Sequence, residues 1–124
     1  MDNHTVLSLV HLIIIVPLFL YVGFKRADNP LFIYNSLFAI GCVILVYHGY
    51  KLYLRRNSSY AWVNAFHIAL IAPLLLYIGY NKKDTPRSAY EMMLITGFAA
   101  GGYHLFSLVR SLNTFNPADT PTKS

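Results

Sequence analysis

Charged side chains are scarce in this chain of 124 residues, and recognisable catalytic motifs are missing. Only 12% of the residues are charged, whereas 56% are hydrophobic. That composition is unusual for a soluble domain of this length. The sequence contains no HExxH motif, no glycine-rich phosphate loop, no paired carboxylates and no serine, histidine and aspartate arrangement typical of hydrolases. We therefore expect that the protein is not an enzyme.

Cysteine and acidic residues are also rare. The single cysteine, Cys42, cannot form an intramolecular disulfide or a CxxC metal site, and we expect it to be a small buried packing residue. Ten basic residues outnumber five acidic ones, and the net charge is +5. No basic run exceeds two residues, which argues against nucleic acid as a partner. The charge suits contact with anionic lipid headgroups.

Long apolar runs dominate what remains. Four stretches of about 20 residues carry almost no charge, and a helix of roughly 20 residues crosses the ~30 Å hydrocarbon layer of a bilayer. The runs do not alternate as the strands of a membrane barrel do. The sequence therefore predicts an all-α integral membrane protein that crosses a membrane several times, with transmembrane helices at about residues 5–24, 30–54, 60–80 and 86–110.

The second half of the chain repeats the first at an offset of 56 residues. About a quarter of the aligned positions are identical, and several of them are residue types that apolar sequence seldom matches by chance. The most informative identical pairs are His11/His67, Pro17/Pro73, Gly23/Gly79, Tyr34/Tyr90, Gly41/Gly97 and His48/His104. The repeat predicts two tandem helical hairpins, residues 1–59 and 60–115, followed by a disordered tail at 116–124.

Each predicted hairpin contains two spans, so both copies would enter the membrane from the same side. The expected result is a parallel repeat that forms a four-helix bundle with both termini on one side. The basic residues do not orient it, because five lie at each end. At the end with the termini are Lys51, Arg55, Arg56, Arg110 and Lys123, and at the hairpin turns are Lys25, Arg26, Lys82, Lys83 and Arg87.

Local signals predict the hairpin turns and the helix faces. Asn29 and Thr85 precede a proline and are expected N-caps of the following helices. Gly23 and Gly79 are expected to end the preceding helices. Pro17 and Pro73 lie within spans and predict kinks. A stripe with a seven-residue spacing places Tyr34, Gly41 and His48 on one face of the second helix, and Tyr90, Gly97 and His104 on one face of the fourth.

Four histidines are the candidate site: His11, His48, His67 and His104. One lies on each predicted span, at a similar depth near the end with the termini, and polar groups at that depth are expected to face the protein interior. Three interpretations remain open. The rings could be structural, they could ligate haem b or a Zn or Cu ion, or they could relay protons along an ion path.

The sequence favours a structural, assembly or interaction role within a membrane, with no cofactor. A haem or metal protein active in electron transfer or metal handling is the alternative, and a proton- or ion-conducting bundle is the third possibility. The expected partners are the lipid bilayer and either a second copy or other membrane proteins, bound through faces of small residues. Glu91, an acid within a span, is expected to pair with Arg87 one turn earlier.

Overall fold

The computed structural model describes residues 3–59 and 61–113, and every regular element in these ranges is a helix. The α-helices are α1 (Asn3–Val10), α2 (Val16–Lys25), α3 (Leu31–Leu54), α4 (Ala61–Phe66), α5 (Ala72–Asn81) and α6 (Arg87–Asn113). Short π-helical and 3₁₀-helical segments connect the α-helices, except between α3 and α4, where residues 55–59 form turns. The connecting segments are the π segments His11–Ile15 and His67–Ile71 and the 3₁₀ segments Arg26–Asp28 and Lys82–Asp84.

These elements form four long, continuous helical segments. They run over Asn3–Asp28, Leu31–Leu54, Ala61–Asp84 and Arg87–Asn113, and each is long and apolar enough to cross a membrane. The prediction of an all-helical chain with four long apolar helices is confirmed. The first, third and fourth segments extend a few residues beyond the predicted ends. The predicted tail at 116–124 lies outside the described residues.

The chain divides into two compact units, whose boundaries fall within α2 and α6. The first unit contains residues 1–21 and 94–124, and the second contains residues 22–93. In the first, Phe19 is buried and packs against Gly97, where an added Cβ would lie 3.2 Å from the Phe19 Cβ. In the second, the core lies mainly between α3 and α5. Its fully buried apolar side chains are Val22, Tyr34, Leu37, Ala72, Leu75, Ile78 and Met93.

Glycine allows α3 and α5 to approach closely. An added Cβ on Gly79 would lie 2.7 Å from the backbone nitrogen of Phe38 and 2.8 Å from the carbonyl oxygen of Tyr34. At Gly41 an added Cβ would lie 3.0 Å from the Leu76 side chain. Gly41, on the seven-residue stripe of α3, therefore permits close packing, and Gly79 packs even more tightly.

The prediction that Gly23 and Gly79 end helices is wrong. Both glycines lie inside their helices, α2 and α5, which continue to Lys25 and Asn81. The chain instead reverses through residues with positive φ, namely Arg26 with φ of 53° and Lys82 with φ of 52°. Positive φ favours glycine, because in other residues the Cβ crowds the following carbonyl oxygen.

The predicted N-caps also take a different role. Asn29 and Thr85 are buried, and their side chains bond backward to the preceding helices. The Asn29 Nδ2 donates to the carbonyl oxygen of Val22 at 2.9 Å, and the Thr85 Oγ1 donates to that of Ile78 at 3.4 Å. These side chains satisfy carbonyls that the end of a helix leaves without a backbone donor.

Candidate functional site

Two of the four candidate histidines form a stacked pair in the first unit. The rings of His11 and His104 have centroids 4.3 Å apart and planes inclined by 24°. The Nδ1 of His11 lies 2.8 Å from the carbonyl oxygen of Leu7, and the Nδ1 of His104 lies 3.5 Å from the Oγ of Ser8. His104 and Ser8 are both buried. The pair therefore joins α6 to the first long helical segment.

The other two candidate histidines form an equivalent pair in the second unit. The rings of His48 and His67 also have centroids 4.3 Å apart, and their planes are inclined by only 15°. The Nδ1 of His67 lies 2.7 Å from the carbonyl oxygen of Val63, and the Nδ1 of His48 lies 2.8 Å from the Oδ1 of Asn64. This pair joins α3 to the third long helical segment.

The oxygen partners determine where three of the rings carry a proton. A carbonyl or amide oxygen only accepts a hydrogen bond, so the Nδ1 atoms of His11, His48 and His67 must donate. A neutral ring protonated at Nδ1 presents an acceptor lone pair at Nε2. Histidines that ligate metals commonly have this arrangement, in which an oxygen fixes Nδ1 and the metal binds Nε2.

The stacked geometry limits which ligands the pairs suit. Two axial ligands of one haem approach the iron from opposite faces of the macrocycle, whereas the imidazoles of each pair lie face to face with no space for a flat ring between them. A closed structural zinc site uses four protein ligands. Within residues 3–59 and 61–113, no three His, Cys, Asp or Glu side chains come together in a geometry that could hold a metal ion.

A π-helical turn begins at one histidine of each pair, His11 or His67, and the expectations from the sequence do not include it. The segment His11–Ile15 ends two residues before Pro17, and the backbone N–H of Val16 donates to the carbonyl oxygen of His11, five residues earlier. The second copy has the same feature, with Ala72 donating to His67. Proline has no N–H to donate, so the wider turn accommodates it at the second position of the next α-helix.

The two tyrosines of the seven-residue stripes form a second polar contact in the second unit. The hydroxyl oxygens of Tyr34 and Tyr90 lie 2.7 Å apart, and both side chains are buried. Each hydroxyl also reaches the residue with positive φ at a turn. The Tyr34 hydroxyl lies 3.0 Å from the carbonyl oxygen of Arg26, and the Tyr90 hydroxyl lies 3.1 Å from that of Lys82. The tyrosines thus tie both turns to the helices that follow them.

Other polar predictions have mixed outcomes. The Nε of Arg87 and the Oε1 of Glu91 lie 2.7 Å apart on exposed side chains, which confirms the expected pairing.

Cys42 is exposed, so the expectation of a buried cysteine is wrong. It lies beside Gly41 but points away from the packed face of α3. His4 lies in the first turn of α1, where its Nδ1 is 3.3 Å from the Oγ of Ser107.

The chain matches no known protein family, and neither a curated protein nor a solved structure matches it.

Proposed function

We propose that the chain is a small multi-pass membrane protein with a structural or assembly role, built from two tandem hairpins that form a four-helix bundle. One observation carries this proposal. All four long helical segments present large apolar side chains outward, which would be unfavourable in water and is suited to lipid. Examples, one from each segment, are Ile13, Val46, Phe66 and Ile95.

The arrangement of aromatic residues supports the same proposal. Large aromatic side chains are exposed near the ends of the long segments, where tyrosine and tryptophan favour the boundary between lipid and water. They include Phe24, Tyr50, Tyr53, Trp62 and Tyr80. Polar side chains on the same segments instead contact one another, as in the two stacked histidine pairs and the hydrogen-bonded tyrosine pair.

The recurrence of equivalent contacts supports the duplicated hairpin. His48 with His67 corresponds, at an offset of 56 residues, to His104 with His11. The turns, the π segments and the backward bonds of Asn29 and Thr85 recur at the same offset. About three quarters of the aligned positions differ, so retention of these contacts favours a shared structural purpose.

The histidine pairs are best interpreted as structural in this proposal. Each ring stacks on a residue from a distant part of the chain, and each Nδ1 has an oxygen partner within the same unit. This use of the polar side chains supports the proposal of a non-enzymatic role. Association of copies through faces of small residues remains a prediction, since Gly41, Gly79 and Gly97 are used for packing within the chain.

A histidine-liganded metal or haem protein is the second candidate, and the hydrogen bonds at Nδ1 favour it, because they are typical of metal-binding histidines. Purified protein, expressed with haem and metals supplied, distinguishes the two. Its oxidised and reduced absorption spectra and an elemental analysis are recorded in mild detergent. The structural role predicts neither a Soret band nor a stoichiometric metal. A Soret band that shifts on reduction, or one metal per chain, would establish the second candidate instead.

A further inference from the structure

The connection that follows α3 combines two arginines with other hydrogen-bond donors around an open cavity. The cavity has a volume of about 410 Å³ and lies in the second unit. Its lining residues are Tyr53, Leu54, Arg55, Arg56, Asn57 and Ser58. Backbone bonds from Ser58 to the carbonyl oxygen of Arg55, and from Ala61 to that of Ser58, hold the connection in tight turns.

Aromatic rings support the cations of this region. The Nζ of Lys51 lies 5.1 Å from the centroid of the Tyr47 ring, and the guanidinium carbon of Arg56 lies 5.9 Å from that of Tyr53. A guanidinium that stacks on a ring still presents N–H donors in its own plane, and these match two oxygens of a phosphate. The aromatic rings thus restrict the cations without occupying their donors.

The charge at this end of α3 is of one sign. Within the described part of the second unit, every carboxylate belongs to Asp28, Asp84 or Glu91. Asp28 precedes α3, whereas Arg55 follows it, and the 24 residues of that helix span roughly 36 Å. At each hairpin turn an aspartate, Asp28 or Asp84, closely follows the cations, and Arg87 is already paired with Glu91. Within the described part of the second unit, only the connection offers arginines with no acidic neighbour in sequence.

We propose that this cavity binds the phosphate headgroup of an anionic phospholipid. The inference rests on the proposed membrane location, which would place the end of the apolar helix α3 at the headgroup layer. There Arg55 and Arg56 would contact the phosphate oxygens, and the polar side chains of Asn57 and Ser58 would contact the rest of the headgroup. The binding would fix the depth of α3 in one leaflet of the bilayer.

The test is native mass spectrometry of the full chain in detergent, mixed with phosphatidylglycerol or with phosphatidylcholine. The variant R55Q/R56Q is compared with K82Q/K83Q, which removes the same charge from a hairpin turn. Wild type should retain phosphatidylglycerol in preference to phosphatidylcholine, and R55Q/R56Q should lose about tenfold in that retention. K82Q/K83Q should change little. Equal losses in the two variants would overturn the proposal, because they would show attraction by net charge alone.

Two further measurements are needed. One distinguishes a lipid headgroup from free phosphate as the ligand, and the other distinguishes failure of the headgroup site from failure of the proposed membrane location. Millimolar inorganic phosphate should leave the bound lipid in place, and complete displacement would overturn a headgroup site in favour of one for the free anion. Extraction of membranes at alkaline pH tests the membrane location independently. A chain that resists extraction but shows no lipid preference disproves the headgroup site alone, whereas a chain that is extracted disproves the proposed function.

Discussion

The hydroxyl oxygens of Tyr34 and Tyr90 lie 2.7 Å apart, yet each hydroxyl also lies within hydrogen-bonding distance of a carbonyl oxygen. Three contacts therefore share two hydroxyl protons. Arg26, the partner of Tyr34, already accepts the Asn29 side-chain amide at 2.7 Å. We expect Tyr34 to donate to Tyr90 and Tyr90 to donate to the carbonyl oxygen of Lys82. The Arg26 carbonyl can do without the Tyr34 proton, because it still accepts the hydrogen bond from Asn29.

This asymmetry predicts different costs for two otherwise equivalent substitutions. Tyr90→Phe removes the side-chain donor to Lys82 and leaves the Tyr34 hydroxyl to donate to Arg26, whose carbonyl already accepts from Asn29, whereas Tyr34→Phe keeps the bond to Lys82. Tyr90→Phe should therefore lower the free energy of unfolding by about 0.5 kcal/mol more than Tyr34→Phe. Unfolding in mixed micelles measures both variants. Tyr77→Phe is the control, because the Tyr77 side chain is about half exposed. Equal losses at the two buried positions, or a larger loss at Tyr34, would contradict the proton arrangement.

Backbone contact at Gly79 predicts that a single methyl group is harmful. Gly79→Ala would place a Cβ 2.7 Å from the Phe38 nitrogen, where backbone must move, and should cost about 1–3 kcal/mol of stability. Gly49→Ala in α3 is the matched control, since nothing lies within 4 Å of an added Cβ there. It should be neutral or stabilise the protein by up to about 1 kcal/mol. Similar thermal midpoints for both variants would refute the close approach of α3 and α5.

Positive φ at Lys82 predicts that a substitution to glycine there stabilises the protein. Lys82 has φ of 52° and ψ of −124°, so Lys82→Gly should relieve strain and raise stability by about 1 kcal/mol. Lys83→Gly is the control. It removes the same charge one residue later, where φ is not positive, and should lower stability by about 0.5–1 kcal/mol. Equal changes in denaturation midpoint would show that the turn is not strained.

Stacking of His48 on His67 predicts an energetic coupling between them. A double-mutant cycle with alanine at both positions should give a coupling of about 0.5–1.5 kcal/mol that a chelator does not change. A cycle of His48 with Tyr80 should give none, because Tyr80 lines a cleft with Asn35, which lies about 20 Å from His48 along α3. A coupling that disappears on chelation would point to a metal held by the pair.

The sequence predicts much of the helical framework, because its signals are local and repeated. The seven-residue stripe of Tyr34, Gly41 and His48 does face a neighbouring long helix, since two turns of helix return a side chain to the same face. The position of the four histidines within apolar runs also predicts that their rings face the interior. His48 and His67 indeed contact each other, but their pairing depends on which helices are neighbours, and that is a tertiary property.

The errors have physical causes that local patterns do not reveal. Asn29 follows a turn and precedes a proline, which is typical of an N-cap. Its Nδ2 instead donates to the carbonyl oxygens of Val22 and Arg26, and its Oδ1 makes no capping hydrogen bond. Glycine is the usual residue at positive φ, but Gly79 lies within α5 in close packing, and the positive φ falls on Lys82, three residues later. The π segments are a further case, and a histidine six residues before a proline is the one available signal.

Exposure of Cys42 predicts a direct test of membrane insertion. Cys42 lies near the midpoint of α3, about 17 Å from either end, and its side chain faces outward. In proteoliposomes, an apolar maleimide that partitions into lipid should label Cys42, whereas a charged thiol reagent should not, because it does not enter the hydrocarbon layer. Both reagents should react after solubilisation in a denaturing detergent. The control variant C42S/N57C carries its thiol in the exposed connection and should react with the charged reagent in liposomes. Rapid labelling of wild-type Cys42 by the charged reagent would place α3 in water and rule out the proposed membrane location.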